Sequence, residues 1–135
     1  MRHWIFVIRA DESVFKKRIE QKKWPIFHAT KFRVFLEICD NVIFYKAGEG
    51  GQKFMGTAVL KSQATPIPDK VDYYVDMEKI DIWKNHPSIR NLIPDLGFIK
   101  NKDHWGLYVQ GGVLRIEKND YSTILKAAKK LERKK

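Results

Sequence analysis

The sequence predicts an α+β protein in which a mixed, mostly antiparallel sheet, curved into a small barrel, packs against two or three helices. Three observations support this fold class. Apolar runs of strand length recur along the chain, turn residues separate them, and apolar residues at helical spacing occur near each end. Because 135 residues suffice for one core, we expect a single domain over residues 1–135.

The N-terminal part is predicted to form a central strand and then a helix. Within residues 3–9, positions 4–8 form an unbroken β-branched and aromatic run, typical of a strand buried on both faces. Asp11 is a candidate N-cap for a helix that ends near Lys23. Trp24 precedes Pro25, and a residue before proline avoids the helical conformation, so we expect a loop from there through His28.

A hairpin is predicted in the middle of the chain. Its strands are Asn41–Lys46 and Lys53–Leu60, and the sequence Gly-Glu-Gly-Gly at 48–51 connects them. This segment lacks the Lys-Ser/Thr of a phosphate-binding loop and opens no helix, which favours a turn. Gly56 indicates a bulge in the second strand.

The C-terminal half is predicted to contain two antiparallel strand pairs, a short helix and a long helix. Alternating apolar residues indicate the strands, and apolar residues at helical spacing indicate the last helix. The predicted strand pairs are 71–75 with 80–82 and 105–109 with 113–116, and the predicted helices are 87–92 and 119–135.

The charge of the chain indicates a polyanionic partner. Lys and Arg number 26 against 16 Asp and Glu, which gives a net charge of +10, and the pI is near 9.7. An apolar fraction of 44% supports a packed core and excludes disorder as the reason for the charge. No apolar run approaches the ~20 residues that span a bilayer, so we expect a cytoplasmic protein without membrane contact.

Residues that typically carry catalysis or bind metals are sparse. Cys39 is the only cysteine, so disulfides and cysteine-based zinc sites are excluded within one chain, and we expect this thiol to be buried and inert. The histidines, His3, His28, His86 and His104, lack the spacing of metal ligands. The sequence therefore predicts no metal and no cofactor, and it favours a non-enzymatic function over an enzymatic one.

Aromatic residues beside cations indicate binding instead. Trp24 follows Lys22 and Lys23, and Trp105 follows Lys100 and Lys102. An aromatic face can stack on a nucleobase while neighbouring cations hold phosphate. The alternative, that the tryptophans are packing elements and the lysines are merely solvated, remains open at this point.

Several segments share one resemblance, namely 4–6, Trp24, 40–45, 56–58 and 96–102 with the Trp-Gly pair at 105–106. Together they resemble the EVE domain family over nearly the whole chain, most specifically at 98–105. This resemblance implies a PUA-like fold, similar to that of YTH domains, which hold a methylated adenine in an aromatic cage. It also implies a reader of modified bases, chiefly modified cytosines in DNA.

The resemblance also implies the site residues. Trp24 is expected to form one wall of a base pocket and Trp105 a second aromatic wall. Polar contacts to the base are expected from Arg9, His28, Lys31 and Asn101. Apart from the resemblance, the basic residues themselves indicate phosphate contacts. We expect these contacts from Lys22, Lys23, Lys100 and Lys102, with Lys16, Lys17, Arg18 and the C-terminal lysines as further candidates.

The favoured function is therefore a module that reads a nucleobase, modified or not, in DNA or RNA. Three alternatives remain. The chain is a nucleic-acid binder that ignores modifications, an RNA-cleaving enzyme that uses His28, Lys31, Tyr45 or Lys46, or a module for a small molecule or a protein.

Overall fold

The computed structural model describes residues 1–48 and 50–133. Seven strands and two α-helices form in this part of the chain, together with four short 3-10 helices. The strands are β1 His3–Ile8, β2 Lys23–Ile26, β3 Asn41–Lys46, β4 Lys53–Leu60, β5 Thr65–Pro66, β6 Tyr73–Ile82 and β7 Val113–Ile116. The helices are α1 Glu12–Gln21 and α2 Lys118–Arg133, and the 3-10 helices are Arg33–Phe35, Ile89–Asn91, Ile93–Asp95 and Lys102–Val109.

The strands form one curled sheet in the order β2-β6-β4-β3-β1-β7, with β5 beside β6. β1 and β3 are parallel and the other pairs are antiparallel, which confirms the predicted mixed sheet. Although β2 lies at one edge, its Trp24 reaches Phe6 of β1, with ring centroids 5.8 Å apart. The sheet is therefore a half-barrel. In the described residues, edge strands β2 and β7 do not pair with each other, so a seam remains between them.

A hydrophobic core lies on each face of the sheet. The concave core contains Trp4, Phe6 and Phe44, and Phe15 of α1 packs against it. The convex core contains Ile5 and its neighbours, and α2 covers it with side chains that include Ile124 and Ala128. Alternate residues of β1 thus enter different cores, which confirms that this strand is buried on both faces.

The segment after α1 differs from the prediction. Lys22 adopts a left-handed conformation with φ of 56°, and its N–H donates to the carbonyls of Arg18 and Ile19, so the helix ends there. The predicted loop at 24–28 is wrong in its first part, because Lys23–Ile26 forms β2. Pro25 is tolerated in this strand because β2 is an edge strand that pairs only with β6. On its other side no neighbouring strand needs a hydrogen bond from the N–H that proline lacks.

The predicted strand at 105–109 is also wrong, because this segment lies within the 3-10 helix Lys102–Val109. Asn101 caps this helix, since its Oδ1 accepts a hydrogen bond from the Asp103 N–H at 3.1 Å. β7 pairs with β1 rather than with this segment.

Two other predictions are corrected. β6 is one continuous strand of 10 residues, not two paired strands. The predicted helix at 87–92 is reduced to the 3-10 helix Ile89–Asn91. The last helix is confirmed, beginning at Lys118, and its residues 134 and 135 lie outside the described residues.

Cys39 is exposed, contrary to the prediction that it is buried. It has a positive φ of 76° in the turn before β3, and this turn directs the neighbouring Asp40 into the protein instead. The Asp40 carboxylate then accepts hydrogen bonds there, so the turn needs the aspartate rather than the thiol.

Gly56 is expected to be essential for the packing of β4 on β6. The β3–β4 register shifts opposite Gly56, which confirms the bulge, and a Cβ at this position would lie 2.3 Å from the Asp81 carbonyl oxygen. We expect Gly56→Ala to lower the free energy of unfolding by about 1–3 kcal/mol. Urea denaturation measures this, with Gly106→Ala as the control because that glycine has open space around it. Equal midpoints for the two variants would contradict the expectation.

Candidate functional site

A hollow of about 250 Å³ lies at the seam between β2 and β7. Pockets for drug-sized ligands measure roughly 300–1,000 Å³, so this volume suits a smaller, single ring system. Most of the lining is apolar, with three polar side chains at Arg18, Thr30 and Asp72. The other lining residues are Val7, Trp24, Pro25, Ile26, Phe27, Gly112 and Val113.

Trp24 backs this hollow from inside the concave core. Only 2% of its surface is exposed, and its ring stacks on Phe44 with centroids 5.1 Å apart. The guanidinium of Arg18 lies over the indole, 4.7 Å from the ring centroid. A base therefore cannot stack on Trp24 unless Arg18 moves, and the predicted role of Trp24 as a pocket wall stays a prediction.

Arg18 is the cation that borders the hollow. Partial burial lowers the pKa of its guanidinium, which nevertheless stays charged because arginine cannot be deprotonated under ordinary conditions. Within the described residues, the ion pairs are Lys23 with Asp76 and His28 with Asp72, so Arg18 has no carboxylate partner there. Its charge is available to an anion or to an acceptor on a base edge.

Asp72 places a hydrogen-bond acceptor at the hollow. Its Oδ1 accepts from the His28 backbone N–H at 3.0 Å and contacts His28 Nδ1 at the same distance. Hydrogen bonds from the His28 side chain and backbone hold the pKa of Asp72 below its usual value, so this carboxylate is ionised at neutral pH. His28, predicted to contact the base, thus orients the carboxylate that lines the hollow.

Phe27 adds an aromatic ring that is open to solvent. Its side chain lines the hollow and is 59% exposed. Its ring centroid lies 4.4 Å from that of His28, in a tilted arrangement. The sequence reasoning missed Phe27 as a site residue, although it directly follows the predicted Trp-Pro segment. It also missed Asp72, for which no sequence signal exists.

A basic groove of about 640 Å³ adjoins the hollow and shares Arg18 and Pro25 with it. Lys17 and Lys23 line this groove, and Lys23 Nζ lies 4.2 Å from the ring centroid of Tyr74. The hydrogen bond to Asp76 raises the pKa of Lys23. Cations thus continue away from the hollow along α1 and β2.

The structure does not bring Trp105 to Trp24. Trp24 belongs to the concave core, whereas Trp105 packs against the convex core on the other face of the sheet. The expectation that both rings enclose one base is therefore corrected. Arg9 lies with Trp105, lining a second hollow, and its Nη2 donates to the Val109 carbonyl at 2.9 Å.

The remaining predicted contacts are distributed over the surface. Asn101 caps a helix, as described above, and Lys102 Nζ donates to the Leu96 carbonyl at 2.7 Å, so both residues stabilise the loop before Trp105. Lys31 lies over the ring of Phe32 at 5.6 Å, away from the lining of the hollow. Lys22 and Lys100 are exposed.

The described residues contain neither a membrane-spanning helix nor a cluster of metal ligands. No helix there is long and apolar enough to cross a bilayer. In the same residues, no group of three or more His, Cys, Asp or Glu side chains is placed to hold a metal ion.

Comparison with known proteins identifies the fold. Human THYN1, solved in complex with 5-methylcytosine containing DNA, matches with a TM-score of 0.68 at 11% identity, covering 95% of this chain and 98% of that chain. The Mmi1 YTH domain matches with a TM-score of 0.65 at 15% identity, covering 100% of both chains. The chain therefore has the PUA-like fold that EVE and YTH domains share.

Sequence comparison adds one relative. The "UPF0310 protein in gntR 5′region" of Bacillus licheniformis is 29% identical over 128 residues, which covers 85% of this chain and 72% of that protein. No protein-family model matches the chain. The resemblance to the EVE domain that the sequence indicates is thus confirmed at the level of the fold.

Proposed function

We propose that this chain is a binding module that accepts one nucleobase of a DNA or RNA strand in the hollow at the seam. The observation that carries the proposal is the combination of apolar walls, the exposed ring of Phe27, the Asp72 carboxylate and the Arg18 guanidinium, which has no carboxylate partner among the described residues, around one small space. The fold relationship to THYN1, solved with 5-methylcytosine containing DNA, supports this choice of ligand.

The polar groups favour a base with an exocyclic amine. The ionised Asp72 accepts hydrogen bonds but donates none, and carboxylates pair with the N4 amine of cytosine in base recognition. Adenine offers a similar amine at N6. Stacking on Phe27 is expected to contribute about 1–3 kcal/mol. Arg18 is placed to meet either a base-edge acceptor or a phosphate.

A modification on the base would be read by the apolar walls. A methyl group that packs against Val7, Ile26 or Val113 contributes about 1 kcal/mol, so preference for a methylated base is expected to be modest. Flipping a base out of a duplex costs a few kcal/mol, and less in a single strand. The groove with Lys17 and Lys23 supplies salt-dependent affinity for the backbone.

Titration of single-stranded oligonucleotides tests the proposal. We expect Phe27→Ala and Asp72→Asn each to weaken binding by roughly tenfold, because the first removes the stacking face and the second the anionic acceptor. Fluorescence anisotropy at constant salt, with strands that contain cytosine or 5-methylcytosine, measures the affinities.

Phe35→Ala is the matched control, because Phe35 is also an exposed aromatic residue, 46% accessible, but lies outside the hollow. Affinities of Phe27→Ala and Asp72→Asn equal to those of the Phe35→Ala variant would refute the assignment of this hollow. Binding that falls with salt but ignores methylation would support the modification-blind alternative.

A further inference from the structure

A second hollow, of about 190 Å³, lies on the other side of the segment that leads into β7. Val109 and Gln110 line this hollow, whereas Gly112 and Val113 line the first one. The remaining lining residues come from the ends of β1 and β3, from the turn after β3 and from the 3-10 helix. They are Arg9, Tyr45, Ala47, Gly48, Gln52, Trp105 and Gly106.

Tyr45 brings a hydroxyl to this hollow from a side chain that is otherwise buried. The residue is only 1% exposed, and its ring packs against Phe54 with centroids 5.1 Å apart. Tyr45 lines the hollow. Its hydroxyl makes no hydrogen bond with residues 1–48 or 50–133. Burial raises the pKa of Tyr45 to about 12, so the hydroxyl stays protonated and can donate.

Two guanidinium groups contact residues that line this hollow. Arg9 is held by the Val109 and Gln110 carbonyls, which use only its Nη2. Arg90 donates from Nε to Gln52 Oε1 at 2.9 Å, and its guanidinium lies 5.3 Å from the ring centroid of Trp105. Arg9 itself lines the hollow, and both residues that Arg90 contacts, Gln52 and Trp105, line it too.

Among the described residues, the lining of the hollow contains hydrogen-bond donors and the positive charge of Arg9 but no carboxylate. Neither Arg9 nor Arg90 forms an ion pair with a described residue. A Cβ at Gly106 would meet nothing within 4 Å, so a ligand can approach the backbone there. An arrangement of two arginines, a phenol and an amide is complementary to a compact oxyanion.

We propose that this second hollow binds a phosphate group, with Arg9, Arg90 and the Tyr45 hydroxyl as its donors. The site is separate from the base hollow and does not depend on it. The phosphate comes either from free inorganic phosphate or from the 5′ end of a strand. Val109 lines this hollow and Gly112 lines the first one, and these residues are separated by at most about 11 Å of extended chain. The two hollows are therefore close enough for one short oligonucleotide to reach both.

Calorimetric titration with inorganic phosphate at constant ionic strength tests this site. Tyr45→Phe removes the hydroxyl and keeps the packed ring, so the variant is expected to fold. Because a hydrogen bond to a charged group contributes about 1.5–3 kcal/mol, its loss should weaken phosphate binding about tenfold or more. Arg90→Gln is expected to have a similar effect.

Tyr121→Phe is the matched control, since its half-buried hydroxyl lies on α2, outside the hollow. It should bind phosphate as the native chain does. Absence of saturable phosphate binding to the native chain, or equal affinities of the Tyr45→Phe and Tyr121→Phe variants, would overturn the proposal. In the native chain, addition of phosphate should also shift the NMR signals of the Gly106 amide and the Trp105 indole N–H, because both residues line the hollow.

The source of the phosphate is read from two further titrations, with otherwise identical strands that carry a 5′-phosphate or a 5′-hydroxyl. A preference for the phosphorylated strand that disappears in Tyr45→Phe supports the site and assigns it to strand ends. Equal binding of both strands, together with saturable inorganic phosphate binding, supports the site and assigns it to the free ion. Phe27→Ala should leave inorganic phosphate binding intact, so failure of either site can be recognised separately.

Discussion

Replacement of Trp24 by alanine is expected to lower the free energy of unfolding by about 3–5 kcal/mol, the usual range for removing a large buried aromatic side chain. Trp24 is 2% exposed and contacts Phe6, Phe15 and Phe44, which come from three different elements. The substitution would therefore remove packing contacts between α1 and the sheet and between β2 and β1.

Urea denaturation of the native chain and of Trp24→Ala measures this effect. Trp105→Ala is the matched control, because Trp105 is only partly buried and should cost less stability. A loss below 1 kcal/mol for Trp24→Ala, or a greater loss for the Trp105 variant, would contradict the expectation. If the expectation holds, a loss of nucleic-acid binding in Trp24→Ala would reflect unfolding, and Phe27→Ala becomes the informative variant.

Asp40→Ala is expected to lower the free energy of unfolding by about 3 kcal/mol or more. The Asp40 carboxylate, 2% exposed, accepts hydrogen bonds from the Trp4 indole N–H and the Arg2 backbone N–H, both at 2.9 Å, and from the Glu37 backbone N–H at 3.0 Å. Each buried donor left without a partner costs about 1–3 kcal/mol. The indole N–H of Trp4 has the largest share, because it is buried in the concave core.

Denaturation measures the loss in stability, and the hydrogen-exchange rate of the Trp4 indole should increase at the same time. Asp40→Asn keeps one side-chain oxygen and should lose less stability than Asp40→Ala. Asp103→Ala, at an exposed aspartate, is the control and should leave stability almost unchanged. Equal stability of the Asp40→Ala and Asp103→Ala variants would show that the buried carboxylate is not needed.

The sequence predicts those elements whose own residues form a clear pattern of apolar runs and turn residues. β1 was predicted because five successive apolar residues suit a strand buried on both faces, and β3 and β4 because glycines separate two apolar runs. The segment at 105–109 has a strand-like pattern of alternating apolar residues, yet it belongs to a 3-10 helix. There the cap by Asn101 and the bond from Lys102 to the Leu96 carbonyl outweigh the strand-like pattern.

The sequence by itself determined the positive charge, the two helices, the central strand with its hairpin, and the resemblance that named the fold. Only the tertiary structure decided the sites. Pairing of β2 with β6 brings Asp72 to Phe27, and the two faces of one sheet separate Trp24 from Trp105. Contacts between residues far apart in the chain depend on strand order and on the curl of the sheet, and neither leaves a periodic signal in the sequence.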